Sequence, residues 1–385
     1  MLDFALTPTD FRSRYFERAP LLSRRVLQER PIGWRELNDA LNRIEPDERT
    51  LALFDRGLVP QSAYTRDGVE LGQQRRRLDK LRFYALLRNG ATLVLNRFEM
   101  HSVESQRLCA EVSRFAGLPT TSNAYLSYTG NGTFGKHWDT HDVFAIQLFG
   151  RKRWQVFAPT FALPLSHHTS ESFPQTNIGV AQLDLVLEPG DVLYLPRGWW
   201  HQAIPLNEPS LHLSVGTYTA TLHDYLMWIC SRLLPLQPAA RQALCAESAA
   251  ATTLTELFDV VRSAATDATA LRQFEHEIQR REGHHGELDL ARHVNSWHEP
   301  REGNARLRLT SSCAAAPEPG RILVNGQFVA LDPLAQRVVS VLRSCASMQL
   351  DALCERVNDV PRDLTTATVY SLAALDVLSI EPSLK

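Results

Sequence analysis

Residues 188–201 read EPGDVLYLPRGWWH, and this stretch decides the fold. Pro189-Gly190 predicts a turn, because proline fixes φ and glycine tolerates a positive φ. The apolar residues 192–195 then predict a short buried strand. Pro196-Arg197-Gly198 predicts a second turn, after which His201 opens the next strand. The stretch therefore predicts short strands joined by tight turns, with a histidine placed just after one of them.

A second histidine that could share a site with His201 lies earlier in the chain, in His137-Trp138-Asp139. In extended backbone, residues i and i+2 point to the same face, so His137 and Asp139 can bind one metal ion while Trp138 packs into the opposite layer. A lone His-x-Asp is most often a surface pair. With His201 as third ligand, however, the set becomes the two-histidine, one-carboxylate triad of non-haem Fe(II) oxygenases, which leaves coordination positions open.

Three residues near these motifs could each have either a functional or a structural role. His141 extends the first motif to His-x-Asp-x-His; it either contacts the ligands or the substrate or has a structural role, and it is not counted as a ligand. Trp199 and Trp200 either stack on a substrate side chain or pack in the core. One of the two tryptophans must face inward in either case.

These motifs resemble a known family. The second conserved box of the cupin barrel is matched by Gly190, Pro196, Gly198 and His201. Asp139 stands where many cupins have a second histidine, which favours Fe(II)/2-oxoglutarate chemistry over a three-histidine Zn or Mn cupin. Residues 137–154, HWDTHDVFAIQLFGRKRW, resemble the core of the JmjC/cupin-4 oxygenases, among them the ribosomal oxygenases that hydroxylate arginine or histidine in ribosomal proteins. The resemblance is strong over about residues 90–220.

The resemblance implies a fold, a cofactor and residue roles. The fold is α+β, a double-stranded β-helix (the cupin/JmjC jelly-roll) with N-terminal helices. His137, Asp139 and His201 would bind Fe(II). Lys152 would hold the distal carboxylate of the co-substrate 2-oxoglutarate, since a cation binds a carboxylate through charge-assisted hydrogen bonds. The other co-substrate residues implied are Asn123, Tyr125 and Ser214.

Three domains are expected along the chain. Residues 1–220 form the catalytic domain with its N-terminal helices. After Tyr218 the hydrophobic period changes from 2 to 3.6, which predicts helices at 222–234, 239–249, 254–264 and 268–281 in a helical domain over 221–305. In the ribosomal oxygenases such a block forms a homodimer interface. The apolar residues that would form either that interface or an intramolecular bundle are Leu226, Ile229, Leu233, Leu254, Leu257 and Val261.

A winged-helix-like domain is expected over residues 320–385, after a small, proline-rich linker at 311–320. Asn325-Gly326 predicts the tip of a hairpin, and helices near 333–343, 348–357 and 365–375 precede a last strand. Its six Lys/Arg and seven Asp/Glu give 6 − 7 = −1. We expect no direct DNA binding, because DNA-reading modules are normally basic.

Composition and charge narrow the class of protein and its location. The 385 residues are 44% hydrophobic and 22% charged with a net charge of −2, which is typical of a soluble globular protein and not of a dedicated nucleic-acid binder. We expect no signal peptide or membrane span. Six scattered cysteines predict reduced thiols and a cytoplasmic location. The basic run 75–77 predicts a solvated helix face or loop, with docking of an RNA-associated or acidic partner as the alternative.

Two classes of function follow. The leading hypothesis is an Fe(II)- and 2-oxoglutarate-dependent oxygenase that hydroxylates an arginine or histidine side chain of a protein or peptide substrate, a ribosomal protein included, and acts as a homodimer. A variant of it acts on a small molecule or a biosynthetic peptide. The competing class is a non-catalytic cupin scaffold or sensor. The triad and Lys152 favour the enzyme, since a scaffold needs neither.

Overall fold

The structure of the chain, a computed structural model, describes residues 2–47, 49–128, 134–243, 249–281, 305–310, 320–324, 326–345 and 347–381. These residues belong to two units, Met1–Tyr218 and Thr219–Lys385. The division of residues 221–385 into two domains stays a prediction. The predicted linker, apart from Gly320, lies outside the described residues.

The described residues of the first unit form four α-helices and twelve strands. In chain order its elements are α1 (Pro8–Arg14), β1 (Leu21–Ser23), α2 (Trp34–Arg43), β2 (Leu51–Phe54), β3 (Thr65–Glu70), β4 (Gln73–Leu78), α3 (Lys80–Arg88), β5 (Thr92–Leu95), α4 (Val103–Ala116), β6 (Thr120–Ser127), β7 (Asp142–Phe149), β8 (Lys152–Phe157), β9 (Ala181–Leu187), β10 (Val192–Leu195), β11 (Trp200–Pro205) and β12 (Ser210–Thr217). The strand predicted at residues 192–195 is confirmed as β10.

Two antiparallel sheets form the jelly-roll. The larger has the strand order β1-β10-β7-β12-β6-β5-β2, and the smaller has the order β11-β8-β9. An apolar cluster joins Ala145 and Leu193 of the larger sheet to Trp154, Val156 and Leu187 of the smaller one. The inner faces of the two sheets therefore pack against each other and enclose the interior of the barrel.

The outer face of the larger sheet packs against the helices. On β7, Phe144 and Ile146 are fully buried among side chains such as Phe11 of α1 and Leu108 of α4. Local signals set both ends of α4: it begins at the N-cap Ser102, whose hydroxyl accepts from the Ser105 N–H, and it ends at the left-handed Gly117. β7 is buried on both faces, which explains its continuous apolar sequence.

A tight turn carries the chain from β7 to β8. Gly150 has φ +61°, and a Cβ at this position would stand 1.9 Å from the carbonyl oxygen of Pro209. Only glycine fits this close approach to the backbone. The turn fixes where Lys152, the first residue of β8, enters the interior.

The basic run at residues 75–77 lies on a β-hairpin, so the predicted helix face or loop was wrong. Strands β3 and β4 pair from Thr65↔Leu78 to Glu70↔Gln73 with almost every side chain exposed. Because no apolar side chain alternates along these strands, the sequence carries no period-2 signal. Arg75, Arg76 and Arg77 each form an ion pair, with Glu45, Asp67 and Glu70 in that order.

The described residues of the second unit form helices, one three-stranded sheet and a two-stranded hairpin. Its elements are α5 (Leu222–Trp228), α6 (Ala249–Thr266), α7 (Ala268–Arg281), β13 (Arg306–Leu309), β14 (Arg321–Val324), β15 (Gln327–Ala330), α8 (Pro333–Arg343), β16 (Met348–Gln349), α9 (Leu350–Arg356), α10 (Arg362–Ala374) and β17 (Leu378–Glu381). None of the helices in the described ranges is long and apolar enough to cross a membrane.

The helical part of this unit has a small core of its own. A π-helical turn, Ile229–Leu233, extends α5, and Tyr225, Ile229 and Phe274 form a buried cluster. In the described part of the range 239–249 the expected helix is replaced by a short 3-10 turn, Pro238–Arg241, and residues 244–248 lie outside the described part. Proline at the start and a preceding extended residue restrict the chain there.

The last part of the unit has the order expected of a winged-helix-like fold. The hairpin β14–β15 pairs Arg321 with Ala330 and Val324 with Gln327. Helices α8, α9 and α10 pack on a sheet ordered β16-β13-β17 around buried residues such as Val338 and Leu372. The predicted helices and hairpin are confirmed, apart from Asn325, which lies outside the described residues.

Candidate metal centre

Backbone hydrogen bonds bring the two ligand-bearing segments together. His137 and His201 form an isolated antiparallel bridge in which each N–H donates to the other's carbonyl, at 3.0 and 2.8 Å. The Gly198 N–H donates to the carbonyl of Asp139 at 3.0 Å. The strand expected over residues 137–139 is thus a single bridge rather than a full strand. One ligand atom each of His137, Asp139 and His201 lies within 4.8 Å of the others.

A buried polar cluster holds the turn before His201. The Asp142 carboxylate accepts from the Arg197 N–H at 2.9 Å and from the Tyr194 hydroxyl at 2.5 Å. The Arg197 guanidinium forms an ion pair with Glu17 at 2.6 Å. At Gly198, which has φ +83°, a Cβ would stand 2.7 Å from the carbonyl oxygen of Phe161. These contacts constrain the turn, which places His201 beside the other two ligands.

Both imidazoles are oriented for metal binding through Nε2. Nδ1 of His137 lies 3.2 Å from the Gly135 carbonyl, and Nδ1 of His201 lies 3.0 Å from the Trp199 carbonyl. A carbonyl only accepts, so Nδ1 carries the proton in each ring and Nε2 keeps its lone pair. Nε2 of His201 lies 3.6 Å from Oδ2 of Asp139.

The ionisation states also suit a cation. Burial, followed by the charge of His137, lowers the pKa of His201 to about 4. Burial raises the pKa of Asp139, but the neighbouring histidines, His201 first, outweigh it, so the net pKa lies below its usual value. At neutral pH the centre offers an ionised carboxylate and, at His201, a neutral imidazole.

The aromatic residues near the candidate ligands lie partly in the core and partly at the surface. Trp138 and Trp200 are both buried and pack edge to face at 6.3 Å, so Trp138 does turn into the opposite layer. Trp199 is partly buried against the core between the sheets. Phe134 is 43% exposed, and its ring lies 6.2 Å from that of His137. Phe134 therefore stands beside the ligands at the surface.

The predicted co-substrate residues lie on the inner face of the barrel. Asn123 and Tyr125 are on β6, and Ser214 faces Asn123 across the β6–β12 pair. Asn123 accepts from the Arg97 N–H at 3.1 Å and its side chain hydrogen-bonds Tyr125. Burial, and then the charge of Asp139, raise the pKa of Tyr125 to about 12. Asn123 therefore orients a protonated Tyr125 hydroxyl.

Lys152 is the buried cation of the interior. Its side chain is only 3% exposed, and burial lowers its pKa to about 7. A buried ammonium without a counter-ion carries a large desolvation cost. Such a group is far more readily explained by an anionic ligand than by a structural role.

His141 lies beside the ligands but outside the three-residue cluster. Its ring stacks on Tyr218 at 5.0 Å and covers Gly216, where a Cβ would stand 2.6 Å from the imidazole. Its charge contributes to lowering the pKa of Asp139. His141 thus has both a packing contact and an electrostatic effect on a ligand.

His212 also lies on the inner face, although no sequence motif includes it. It is 4% exposed, its Nδ1 lies 3.3 Å from Nζ of Lys152, and its ring stacks on Tyr125. The signal was the alternation Leu211-His212-Leu213-Ser214-Val215, which places His212 and Ser214 on the same face. A histidine between two apolar residues of a buried strand thus points inward.

Residues 94–225 match the family model described as the JmjC domain. Over this range the chain is similar to JmjC-domain proteins, and the relatives that it matches there include ribosomal oxygenases and proteins of the NO66 type. A Dictyostelium discoideum protein, bifunctional lysine-specific demethylase and histidyl-hydroxylase NO66, is 40% identical over 133 residues, 34% of this chain and 26% of that protein. Rattus norvegicus ribosomal oxygenase 2 is 35% identical over 140 residues, 36% of this chain and 30% of that protein. The matched region thus spans less than a third of each relative.

The fold is shared with a solved bacterial protein over nearly the whole chain. Escherichia coli YcfD, a ribosomal oxygenase whose structure contains cobalt and 2-oxoglutarate, superimposes with a TM-score of 0.57 at 17% identity. The superposition covers 99% of this chain and 100% of that one. At this identity the likeness establishes the JmjC cupin fold.

Proposed function

We propose that this chain is an Fe(II)- and 2-oxoglutarate-dependent oxygenase that hydroxylates a side chain of a protein substrate. The observation that carries the proposal is one interior with two parts: the cluster His137, Asp139 and His201, and the buried ammonium of Lys152. The first suits a divalent ion with open positions. The second suits the free carboxylate of a dicarboxylate.

The donor set fits Fe(II). Two imidazoles whose Nδ1 protons are held by backbone carbonyls, and one ionised carboxylate, are the borderline and hard donors that non-haem iron prefers. When bound, Fe(II) with 2-oxoglutarate and O₂ supplies the oxidising chemistry that inserts one oxygen atom into a C–H bond. The protein contributes ligands, an anchor for the co-substrate and a barrel interior in which His201 and Lys152 are buried.

The roles of the pocket residues follow from their contacts. Lys152 would donate to the distal carboxylate of 2-oxoglutarate, and the Tyr125 hydroxyl would donate a second hydrogen bond. Asn123 would act on Tyr125, since its carbonyl oxygen is occupied by the Arg97 N–H. Ser214, opposite Asn123 on the neighbouring strand, lines the same face.

The proposed substrate is an arginine or histidine side chain of a protein, with a ribosomal protein as the first candidate. The names of the relatives support this, since they include a histidyl-hydroxylase and ribosomal oxygenases. Phe134 provides an exposed aromatic surface next to His137, against which a planar side chain could stack. A small molecule or a biosynthetic peptide is the alternative substrate.

We further propose a cytoplasmic homodimer that contacts proteins rather than DNA. In the helical part, Ile229, Leu233 and Val261 pack inside the unit, whereas Leu226 and Phe258 are exposed. The exposed apolar side chains suit a second copy. Sedimentation at micromolar concentration tests this: a monomer mass would contradict the dimer. In the winged-helix-like part, Arg337 and Arg362 are ion-paired with Asp359 and Asp351.

Succinate formation tests the activity. The protein, loaded with Fe(II) under anaerobic conditions and given 2-oxoglutarate, should produce succinate after O₂ is admitted, and the His137→Ala variant should not. Mass spectrometry of ribosomal proteins incubated with the enzyme should then show a hydroxylated arginine or histidine. Succinate formation without any modified protein would favour the small-molecule alternative. Absence of 2-oxoglutarate binding would favour the scaffold.

A further inference from the structure

His212 is placed by an irregularity of the larger sheet. Between β12 and β7 the pairing shifts, so that Leu211 faces Phe149 while His212 faces Gln147. The extra residue bulges out of the ladder, and a bulge re-aims the side chains around it. The Gln147 amide donates to the Phe149 carbonyl at 3.0 Å and to the Ser210 hydroxyl at 2.9 Å. The bulge is thus held by its own hydrogen bonds, and His212 stands at its edge.

The imidazole of His212 contacts both groups proposed to hold the co-substrate. Its Nδ1 lies 3.3 Å from Nζ of Lys152. Its ring lies parallel to the Tyr125 ring, with centroids 5.0 Å apart and planes 9° apart. The Trp154 ring meets it edge to face at 5.4 Å. The His212 ring is thus contacted on three sides, which restricts its orientation.

The chemistry of the contact fixes the tautomer of His212. An ammonium group has three donors and no acceptor, so Nδ1 must accept from Lys152, and the ring proton lies on Nε2. Burial, and then the charge of Lys152, lower the pKa of His212 well below its usual value. The ring therefore stays neutral beside the cation and can serve as its acceptor.

We infer that His212 is a positioning residue that fixes the Lys152 ammonium and the Tyr125 hydroxyl relative to each other, so that both can bind one carboxylate. The inference rests on the proposed function. One of the three ammonium donors is directed at Nδ1, which limits the directions of the other two. Stacking fixes the Tyr125 ring, and Asn123 fixes its hydroxyl. The cost of ordering these groups is met in folding and not on binding.

Two substitutions separate the two contacts. His212→Phe keeps an aromatic ring against Tyr125 but removes the acceptor, whereas His212→Asn keeps an acceptor near the position of Nδ1 and removes the ring. The dissociation constant of 2-oxoglutarate is measured by calorimetry on Mn(II)-loaded protein, as a function of pH. His223→Phe, an exposed change in the other unit, is the matched control.

We expect His212→Phe to weaken 2-oxoglutarate binding by about tenfold or more, as for a lost hydrogen bond to a charged group. Affinity should also begin to fall at a lower pH, because the acceptor stabilises the charged form of Lys152. His212→Asn should restore most of the affinity and the wild-type pH profile. In the iron enzyme, KM for 2-oxoglutarate should rise while kcat at saturation stays near the wild-type value.

Three outcomes would overturn the inference. His212→Phe could bind 2-oxoglutarate with the affinity and pH profile of the wild type. Both variants could be weakened equally with unchanged profiles, which indicates packing alone. Loss of Mn(II) binding in both variants would place His212 in the support of the metal centre instead. If the wild-type protein binds metal but no 2-oxoglutarate, the proposed function fails first, and that result is distinct from the other three.

Discussion

The two faces of the seven-stranded sheet are built from alternate residues of the same strands, and they differ in almost every property. On β12, Leu213 and Val215 point into the apolar core under the helices. His212 and Ser214, between and beside them, point into the barrel interior. The outer face gains stability from burial. The inner face places a cation and an imidazole out of water, which opposes folding. Neighbouring residues of one strand therefore have different roles: one stabilises the fold, and the next lines the candidate site.

The largest effect should come from the ligands on the inner side. Asp139→Ala leaves two imidazoles and no anionic donor, so we expect metal affinity to fall at least about a hundredfold, more than loss of an outer contact costs, and turnover to vanish. Mn(II) titration followed by calorimetry measures this. Asp184→Ala, which removes an exposed carboxylate paired with Arg153, is the matched control. Unchanged metal affinity in Asp139→Ala would contradict the assignment of this ligand.

The outer face should respond in stability instead. Leu213 is fully buried, so Leu213→Ala should lower the free energy of unfolding by about 2–5 kcal/mol, the usual range for a buried leucine. Its neighbour Ser214 on the inner face should cost less than about 1 kcal/mol when changed to alanine. Urea denaturation of both variants makes the comparison. Equal losses would show that the two faces are not separated as described.

Lys152→Met should act in opposite directions on binding and on stability. We expect 2-oxoglutarate to bind about 10–100 times more weakly, because a charge-assisted anchor is lost. The variant should nevertheless melt higher at pH 7 or below, since the buried ammonium no longer has to be desolvated. Each kcal/mol gained raises Tm by roughly 2–4 °C in a domain of about 150–250 residues, the size range of the unit that holds Lys152. A lower melting temperature would mean that Lys152 is compensated in the folded protein.

The pH dependence follows from the pKa of Lys152, which burial lowers from 10.5 to about 7. Between these two values the unfolded chain binds more protons, so wild-type stability should rise with pH across this window, and the gain of Lys152→Met should shrink.

Co-substrate binding should have the opposite slope. The dicarboxylate needs a protonated Lys152, so its dissociation constant should be constant below about pH 7 and rise by about tenfold per pH unit above it. Calorimetry of the Mn(II)-loaded wild type measures the slope. The Lys152→Met variant, which has no titrating group there, should show no such dependence.

Local features of this fold were predictable from the sequence. The strand at residues 192–195, the helix Pro333–Arg343 and the hairpin 321–330 each carry their own turn, cap or periodicity signals, and the structure has them at the expected places. The spacing of His137 and Asp139 is also a local feature, whereas the position of His201 beside them depends on the tertiary structure. The hairpin β3–β4 was missed because its stability comes from backbone pairing with little apolar burial.

Non-local pairing decided what the sequence could not. Asn123, predicted to line the pocket, is engaged by the Arg97 N–H and orients Tyr125. His212 and Lys152 are on different sheets, and no sequence pattern predicts that they are in contact.

The sequence by itself determined the candidate ligands His137, Asp139 and His201 and the elements with local signals, such as the strand at residues 192–195, because turn chemistry and side-chain period are properties of neighbouring residues. Only the tertiary structure decided that Lys152, His212 and Tyr125 contact one another. Their contacts depend on strand register and on one bulge in β7, and a shift of one residue would turn His212 into the apolar core. That dependence on register is the physical reason why the sequence predicts candidate residues for the site but not which of them contact one another.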